Sequence, residues 1–141
     1  MSKSRNIFQF GNKKHKMILI YGGAYQGKLD YALEHYNTNA SVYQCSETET
    51  QIDFSKQIIN SFHCLVLAQL RDHTEPCQFV NENMGFLKPK IIICNDISCG
   101  VVPVDSEMRL WRESVGRVLA ILAKHADEVI RIFCGLGTKI K

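Results

Sequence analysis

The chain has 141 residues, of which 45% are hydrophobic, and this suits one compact domain with a buried core. Its formal net charge of +3 comes from the amino terminus: five of the 17 Lys and Arg residues lie in the first sixteen positions, which leaves 12 basic against 14 acidic residues beyond them. This balance argues against nucleic acid as a partner of the body of the protein.

Residues 1–16 are predicted to form a basic, disordered leader, and residues 17–141 a single domain. No segment has the apolar core of a secretory signal or the length of a membrane span, so we expect a cytoplasmic protein without a membrane partner. The six cysteines show no Cys-x-x-Cys spacing and the five histidines no ligand spacing, so no metal site is predicted.

The first predicted elements are a strand and a helix separated by a glycine-rich turn. The apolar run Met17–Tyr21 stops at a glycine, which is typical of a buried strand. From Leu29 to about Tyr36, apolar residues recur with a helical period, so that Leu29 is expected to pack on the sheet.

The turn has the spacing of a phosphate-binding loop. Gly22 is followed by four residues and then by Gly27 and Lys28. In such a loop, backbone N–H groups and a helix N-terminus surround an anion and the lysine adds charge. The next position, which should be Ser or Thr to hold magnesium, is Leu29. The alternative is a glycine turn that precedes a lysine by chance.

The middle of the chain predicts two strands around a helix. We expect a second strand at Ser41–Gln44, a helix from about Gln51 to Asn60 and a third buried strand at Cys64–Ala68. The segment Arg71–Lys88 is ambiguous, with Pro76 placed to begin a helix.

The last third alternates strand, helix and strand. Lys90–Cys94 predicts a fourth strand, which ends at Asn95 and Asp96. Asp105 is a good N-cap for a helix of about 20 residues. Glu128–Cys134 predicts the last strand. Alternating strands and helices predict an α/β fold, with a mainly parallel sheet covered by helices on both faces and a ligand site at the carboxyl ends of the strands.

Five segments, in this order and spacing, resemble the bifunctional adenosylcobinamide kinase/adenosylcobinamide-phosphate guanylyltransferase family of cobalamin biosynthesis. They are Ile18–Lys28, Asn95–Pro103, Trp111–Arg117, Ala126–Val129 and Gly135-Leu136. The resemblance implies a RecA-like P-loop nucleoside triphosphate hydrolase fold that forms homo-oligomers. It also implies two reactions, in which a nucleoside triphosphate phosphorylates a cobinamide hydroxyl and a guanylylated histidine then passes on GMP.

By position, the resemblance makes Lys28 and Asp96 the catalytic candidates, with Asp96 standing where the family has a glutamate. The cofactor is expected to be GTP or ATP. The residues expected to bind it are Gly22, Gly23, Ala24, Tyr25, Gln26, Gly27, Lys28, Leu29 and Asn95.

The departures from the family concern the metal and the guanylyl transfer. Leu29 replaces the metal-binding hydroxyl, and the predicted third strand lacks the aspartate that the family carries at its end. Asp30 and Asp72 are weak substitutes for these metal ligands, because each is more often a solvated surface acid. A step of about 100° around the helix also turns Asp30 away from the phosphate. The histidine-bearing helix of the family has no counterpart, and His63, which is predicted to precede a strand, is expected to be structural.

Three hypotheses follow. The chain is a reduced relative that binds a purine nucleotide, with its guanylyl-transfer half lost and weak kinase activity kept, or a non-catalytic module that senses a nucleotide or a corrinoid. The third hypothesis is an interaction subunit that binds no nucleotide.

Overall fold

The computed structural model describes residues 16–97 and 104–141, so the predicted leader up to residue 15 and part of the Asn95–Pro103 segment lie outside it. Its strands are β1 (Ile18–Gly22), β2 (Val42–Gln44), β3 (Ile58–Asn60), β4 (Ile91–Asn95), β5 (Glu128–Phe133) and β6 (Leu136–Lys139). Its helices are α1 (Lys28–His35), α2 (Phe62–Arg71), α3 (Pro76–Glu82), α4 (Met84–Leu87) and α5 (Ser106–His125).

The six strands form one sheet in the order β2-β3-β4-β1-β5-β6. Each neighbouring pair from β2 to β5 is parallel, and only β6 runs antiparallel to its neighbour β5. The phosphate-loop strand β1 therefore lies inside the sheet, flanked by β4 and β5. This arrangement brings the carboxyl ends of all three strands to one edge.

Helices cover both faces of the sheet. On one face, α1 packs through Ala32 and Leu29 against alternate residues of β1 and β5, including Ile20 and Ile130. On the other face, α2 and α5 pack against the intervening residues, such as Leu19. Burial on both faces explains why the strands read as continuous apolar runs.

The predicted third strand is wrong, because Cys64–Ala68 lies within the helix α2. The run is apolar on consecutive positions since α2 is sandwiched between the sheet and α5, and Phe62, Leu65 and Val66 are at most 1% exposed. A helix that is buried on nearly all sides shows no polar face, so its sequence cannot be distinguished from that of a buried strand.

The predicted helix from Gln51 to Asn60 is also wrong. The segment is irregular up to Gln57 and then forms the three-residue strand β3. Ile52, Ile58 and Ile59 are buried as expected, but in an extended chain rather than on a helical face. A strand of three residues is too short to produce a period of its own.

The carboxy-terminal elements agree with their predictions, with one addition. Helix α5 has 20 residues, and the Asp105 carboxylate caps it by accepting from the N–H groups of Glu107 and Met108. After β5, Cys134 and Gly135 both have positive φ and form a two-residue hairpin turn into β6, a strand that the sequence analysis missed.

These observations confirm the predicted fold class: an α/β protein with a mainly parallel sheet, helices on both faces and a RecA-like P-loop arrangement in which a glycine-rich loop joins β1 to a helix. Within the described ranges, no helix is both long enough and apolar enough to cross a membrane.

Candidate functional site

The candidate site lies where β1 and β4 end side by side. Gly22, the last residue of β1, pairs in register with Asn95, the last residue of β4, and with Ile132 of β5. The Asp96 N–H also donates to the Gly22 carbonyl at 2.9 Å. The glycine-rich loop therefore starts from the middle of the sheet edge, as the sequence predicts for a ligand site.

Two glycines shape the loop for different reasons. A Cβ atom on Gly22 would lie 2.4 Å from the Ile132 carbonyl oxygen, so the strands approach too closely for any side chain here. Gly27 has φ of 81° and immediately precedes α1, a left-handed conformation that glycine adopts without strain. No side chain caps α1, which leaves its first N–H groups available to an anion.

Two hydrogen bonds connect Gln26 of the loop to the turn between β5 and β6. Its side-chain oxygen accepts from the Cys134 N–H at 2.5 Å, and its carbonyl oxygen accepts from the Gly135 N–H at 3.0 Å. These two bonds connect residues more than one hundred positions apart in the chain. The loop conformation therefore depends on the last hairpin, which the sequence did not indicate.

The loop forms one wall of an open cavity of about 380 Å³. The residues that line it are Ala24, Tyr25, Gln26, Gly27, Lys28, Leu29, Asp30, Asn60, Ser61, His63 and Asn95. Seven of these were predicted to bind the nucleotide or to act with it. The remaining four come from α1, from the end of β3 and from the start of α2.

Lys28 is the cation of this cavity wall. Its side chain is only 8% exposed, and its ammonium group donates to the Gly23 carbonyl at 2.6 Å. Burial lowers the pKa of Lys28, an effect that the nearby Cys94 partly opposes. A poorly hydrated ammonium group gains more from an anionic partner than an exposed one does, because its charge is less screened.

His63 lies in the same cavity and is neutral. It is 8% exposed, and burial together with the positive charge of Lys28 lowers the pKa of His63 from 6.5 to about 4. Its Nδ1 accepts from the Asn95 N–H at 3.1 Å, and its carbonyl oxygen accepts from the Trp111 indole at 2.8 Å. The expectation that His63 precedes a strand is thus wrong, because it occupies the first turn of α2.

The cavity offers little to a metal ion. Leu29 packs into the core between α1 and the sheet, as predicted, and has no oxygen to offer. Asp30 lines the cavity, although the helical pattern predicted that its side chain would turn away from the phosphate. Asp72 lies elsewhere and lines a different cavity together with Arg71. Among the described residues, no three His, Cys, Asp or Glu side chains are grouped to hold a metal.

Three predicted residues stand slightly apart from the cavity wall. Gly22 and Gly23 form the start of the loop, and Asp96 follows Asn95 at the sheet edge without lining the cavity itself. Tyr25, at the tip of the loop, has φ of 59°, and its ring is fully exposed to solvent.

Sequence reasoning missed Asn60, Ser61 and His63 as cavity residues. They lie where β3 ends and α2 begins. The sequence analysis did not find this boundary, because it predicted a helix before it and a strand after it. One signal was present: Asn60-Ser61 before a long apolar run is typical of a helix N-terminus.

Comparison with known sequences supports the resemblance in the carboxy-terminal half. Residues 73–140 match the sequence model of the family described as cobinamide kinase / cobinamide phosphate guanyltransferase. The bifunctional adenosylcobalamin biosynthesis protein CobU of Salmonella typhimurium is 39% identical over 51 residues, a stretch that covers 36% of this chain and 28% of that protein. The resemblance seen in the sequence is thereby confirmed for this part, and the phosphate loop precedes the matched family segment.

Proposed function

We propose that this chain binds a purine nucleotide, GTP or ATP, by its phosphates at Gly22–Lys28, as a reduced relative of the cobinamide kinase/guanyltransferase enzymes. The guanylyl-transfer half is absent in this proposal, and any activity that is kept is phosphoryl transfer to a cobinamide-type corrinoid. A cytoplasmic location, assembly into homo-oligomers and a single domain over residues 17–141 are parts of the same proposal.

One observation carries the nucleotide proposal: an uncapped helix N-terminus and a buried lysine line one cavity at the carboxyl end of the sheet. The first N–H groups of a helix have no partner within the helix and carry the partial positive charge of its dipole, which favours an anion. Lys28 adds a full charge, and Asn95 adds an amide on the neighbouring strand.

The residues at the usual magnesium-binding positions bear on whether the chain can catalyse phosphoryl transfer. Phosphoryl transfer in P-loop enzymes depends on magnesium held by a hydroxyl after the lysine and by an aspartate at a strand end. Here these positions are Leu29, and Asn60 at the end of β3. Asp30 is the one carboxylate of the described cavity wall. This specific observation favours the second candidate function, a non-catalytic module that senses a nucleotide or corrinoid.

The central test is a calorimetric titration of GTP and ATP into wild-type protein, Lys28→Ala and a control, Lys88→Ala, whose side chain is exposed away from the cavity. We expect micromolar to millimolar binding that Lys28→Ala weakens by at least tenfold and Lys88→Ala leaves unchanged. Absence of nucleotide binding by the folded wild-type protein contradicts the proposal and leaves the interaction-subunit hypothesis.

Magnesium separates the two candidate functions. A kinase binds GTP or ATP more tightly with magnesium and forms a nucleoside diphosphate when cobinamide is added. A sensing module has the same affinity with magnesium and with EDTA and produces no diphosphate. The cavity wall leads us to expect the second result.

The loss of guanylyl transfer has its own test. After incubation with GTP and magnesium, intact-protein mass spectrometry should show no covalent GMP adduct. An adduct that His63→Asn abolishes would show that the chain retains this activity and that His63 replaces the histidine of the family.

A further inference from the structure

We infer that His63 is a ligand-contacting residue, which donates a hydrogen bond from its Nε2–H to an anionic oxygen of the molecule that fills the cavity. The inference deepens the proposed function and rests on it, because it requires an anionic ligand beside Lys28. It adds a second contact wall that neither the phosphate-loop pattern nor the matched family segment contains.

The hydrogen bond from Asn95 fixes which nitrogen carries the proton. A backbone N–H can only donate, so the Nδ1 atom that receives it at 3.1 Å is unprotonated. The neutral ring must then carry its proton on Nε2. His63 therefore presents a donor on the side of the ring opposite Asn95.

Among the described residues, no hydrogen bond is formed by Nε2, although the side chain is more than nine-tenths buried and lines the cavity. The Nε2 atom is not among the described buried side-chain atoms that lack a hydrogen bond, so it is open to the cavity, where an anionic oxygen would form a charge-assisted hydrogen bond with it. Solvent or a ligand in the cavity can supply an acceptor.

The start of α2 adds the Ser61 hydroxyl to the same wall. Ser61, the residue before the helix, has φ of 60° and ψ of 48°, and its hydroxyl makes no capping bond. The first N–H groups of this ten-residue helix thus lack a side-chain cap, and both Ser61 and His63 line the cavity. The cavity is bordered by two helix N-termini, one from α1 and one from α2.

The sheet sets the separation of these two walls. Helix α1 follows β1, α2 follows β3, and one strand, β4, lies between them. Two strand spacings correspond to about 10 Å. The cavity extends over both spacings, from the loop after β1 to Asn60 at the end of β3, so two or three linked phosphates fill it better than one. We therefore assign a di- or triphosphate as the ligand class, and His63, whose Nδ1 accepts from Asn95 at the end of the intervening strand β4, contacts it between the two ends of the cavity.

Amide substitutions test the contact. His63→Asn keeps an acceptor near the position of Nδ1 but ends before Nε2, while His63→Gln carries an amide near the position of Nε2. His73→Asn is the control, because His73 is exposed outside the cavity and already has φ of 56°, which asparagine tolerates. Each variant is titrated with pyrophosphate, orthophosphate and GTP in EDTA, after circular dichroism has shown that it is folded.

We expect His63→Asn to weaken pyrophosphate and GTP binding roughly 10- to 100-fold, the range for hydrogen bonds to charged groups. His63→Gln should recover part of that loss, and His73→Asn should bind like the wild type. Orthophosphate should bind more weakly than pyrophosphate, because it fills less of the cavity. Unchanged affinity of a folded His63→Asn for pyrophosphate and GTP overturns the inference.

The outcomes separate this inference from the nucleotide proposal. GTP binding that depends on Lys28 but not on His63 supports the proposal and overturns the inference. Pyrophosphate binding that depends on His63, without any binding of GTP, supports the inference and overturns the nucleotide proposal. If neither pyrophosphate nor GTP binds, both the inference and the proposal are overturned. If His63→Asn does not fold, the ¹⁵N shift of Nε2 in the wild type decides: it must change when pyrophosphate is added, and a constant shift overturns the inference.

Discussion

Gly22 shows how a single residue fixes the geometry of the loop. Its position at the end of β1 leaves 2.4 Å between an added Cβ atom and the Ile132 carbonyl oxygen. The contact atom belongs to the backbone of β5, which cannot move aside as a flexible side chain would. The glycine is therefore needed for sheet packing, whether or not the loop holds a ligand.

Gly22→Ala is expected to destabilise the protein by about 1–3 kcal/mol, the range for overpacking of a close contact. Gly85→Ala is the matched control, because an added Cβ atom there meets nothing within 4 Å. Urea denaturation of both variants measures the difference. Equal stabilities would contradict the packing role assigned to Gly22.

His63 should make stability depend on pH. Its pKa is about 4 in the folded protein against an ordinary 6.5, so the unfolded chain takes up this proton first as the pH falls. The stabilisation from His63 is therefore fully present above pH 6.5 and is lost as the pH falls toward 4, and its total is about 3 kcal/mol.

The measurement is urea denaturation of wild type and His63→Asn between pH 7 and pH 4. The free energy of unfolding of the wild type should fall more steeply than that of the variant, and the difference should accumulate below pH 6.5. Parallel curves for the two proteins would show that His63 titrates normally in the folded state.

At the level of elements, the hairpin of β5 and β6 holds the phosphate loop in position. Its turn residues donate two backbone N–H groups to Gln26, and Gly137 of β6 lies against the Tyr31 ring, where an added Cβ atom would lie 2.5 Å from ring carbons. Strand β6 therefore packs on α1, and the turn before β6 contacts the loop that precedes this helix.

Gln26→Ala removes the side-chain bond to Cys134 and should leave the loop less ordered. We expect GTP affinity to fall roughly 2- to 10-fold, the equivalent of one hydrogen bond. Gln78→Ala, which removes a surface bond to Glu82, is the control. Hydrogen exchange should be faster at Cys134 and Gly135 in Gln26→Ala alone, and unchanged exchange there would argue against this coupling.

The same scale explains which elements could be predicted. Strands β1, β4 and β5 are apolar runs that end at glycine or polar residues, and α5 has a clear cap and period, so local signals suffice. Helix α2 and strand β3 could not be assigned, because burial on all sides removes the helical period and three residues are too few for a strand period.

For the whole molecule, our proposal places the domain boundary just before Met17. Met17 begins the described core with 0% exposure, and its N–H donates to the Asp127 carboxylate at 2.8 Å. Residues 1–16 carry five basic residues and no acidic ones. The charge of the body without them is close to neutral.

A chain that starts at Met17 is therefore expected to keep the thermal midpoint and the GTP affinity of the full chain. Differential scanning fluorimetry and titration of both proteins measure this. A large loss of affinity on truncation would assign the basic residues to the binding site and contradict the proposed domain boundary.

The sequence by itself determined the glycine-rich loop after β1, the α/β class and the family resemblance, since each depends on local patterns that can be recognised one segment at a time. Only the tertiary structure decided that α2 is a helix and that His63, Ser61 and Asn60 face the loop across the sheet edge. The physical reason is that β4, which brings β1 and β3 together, lies more than thirty residues from the end of β3. No local pattern encodes contacts between segments that pair through a third.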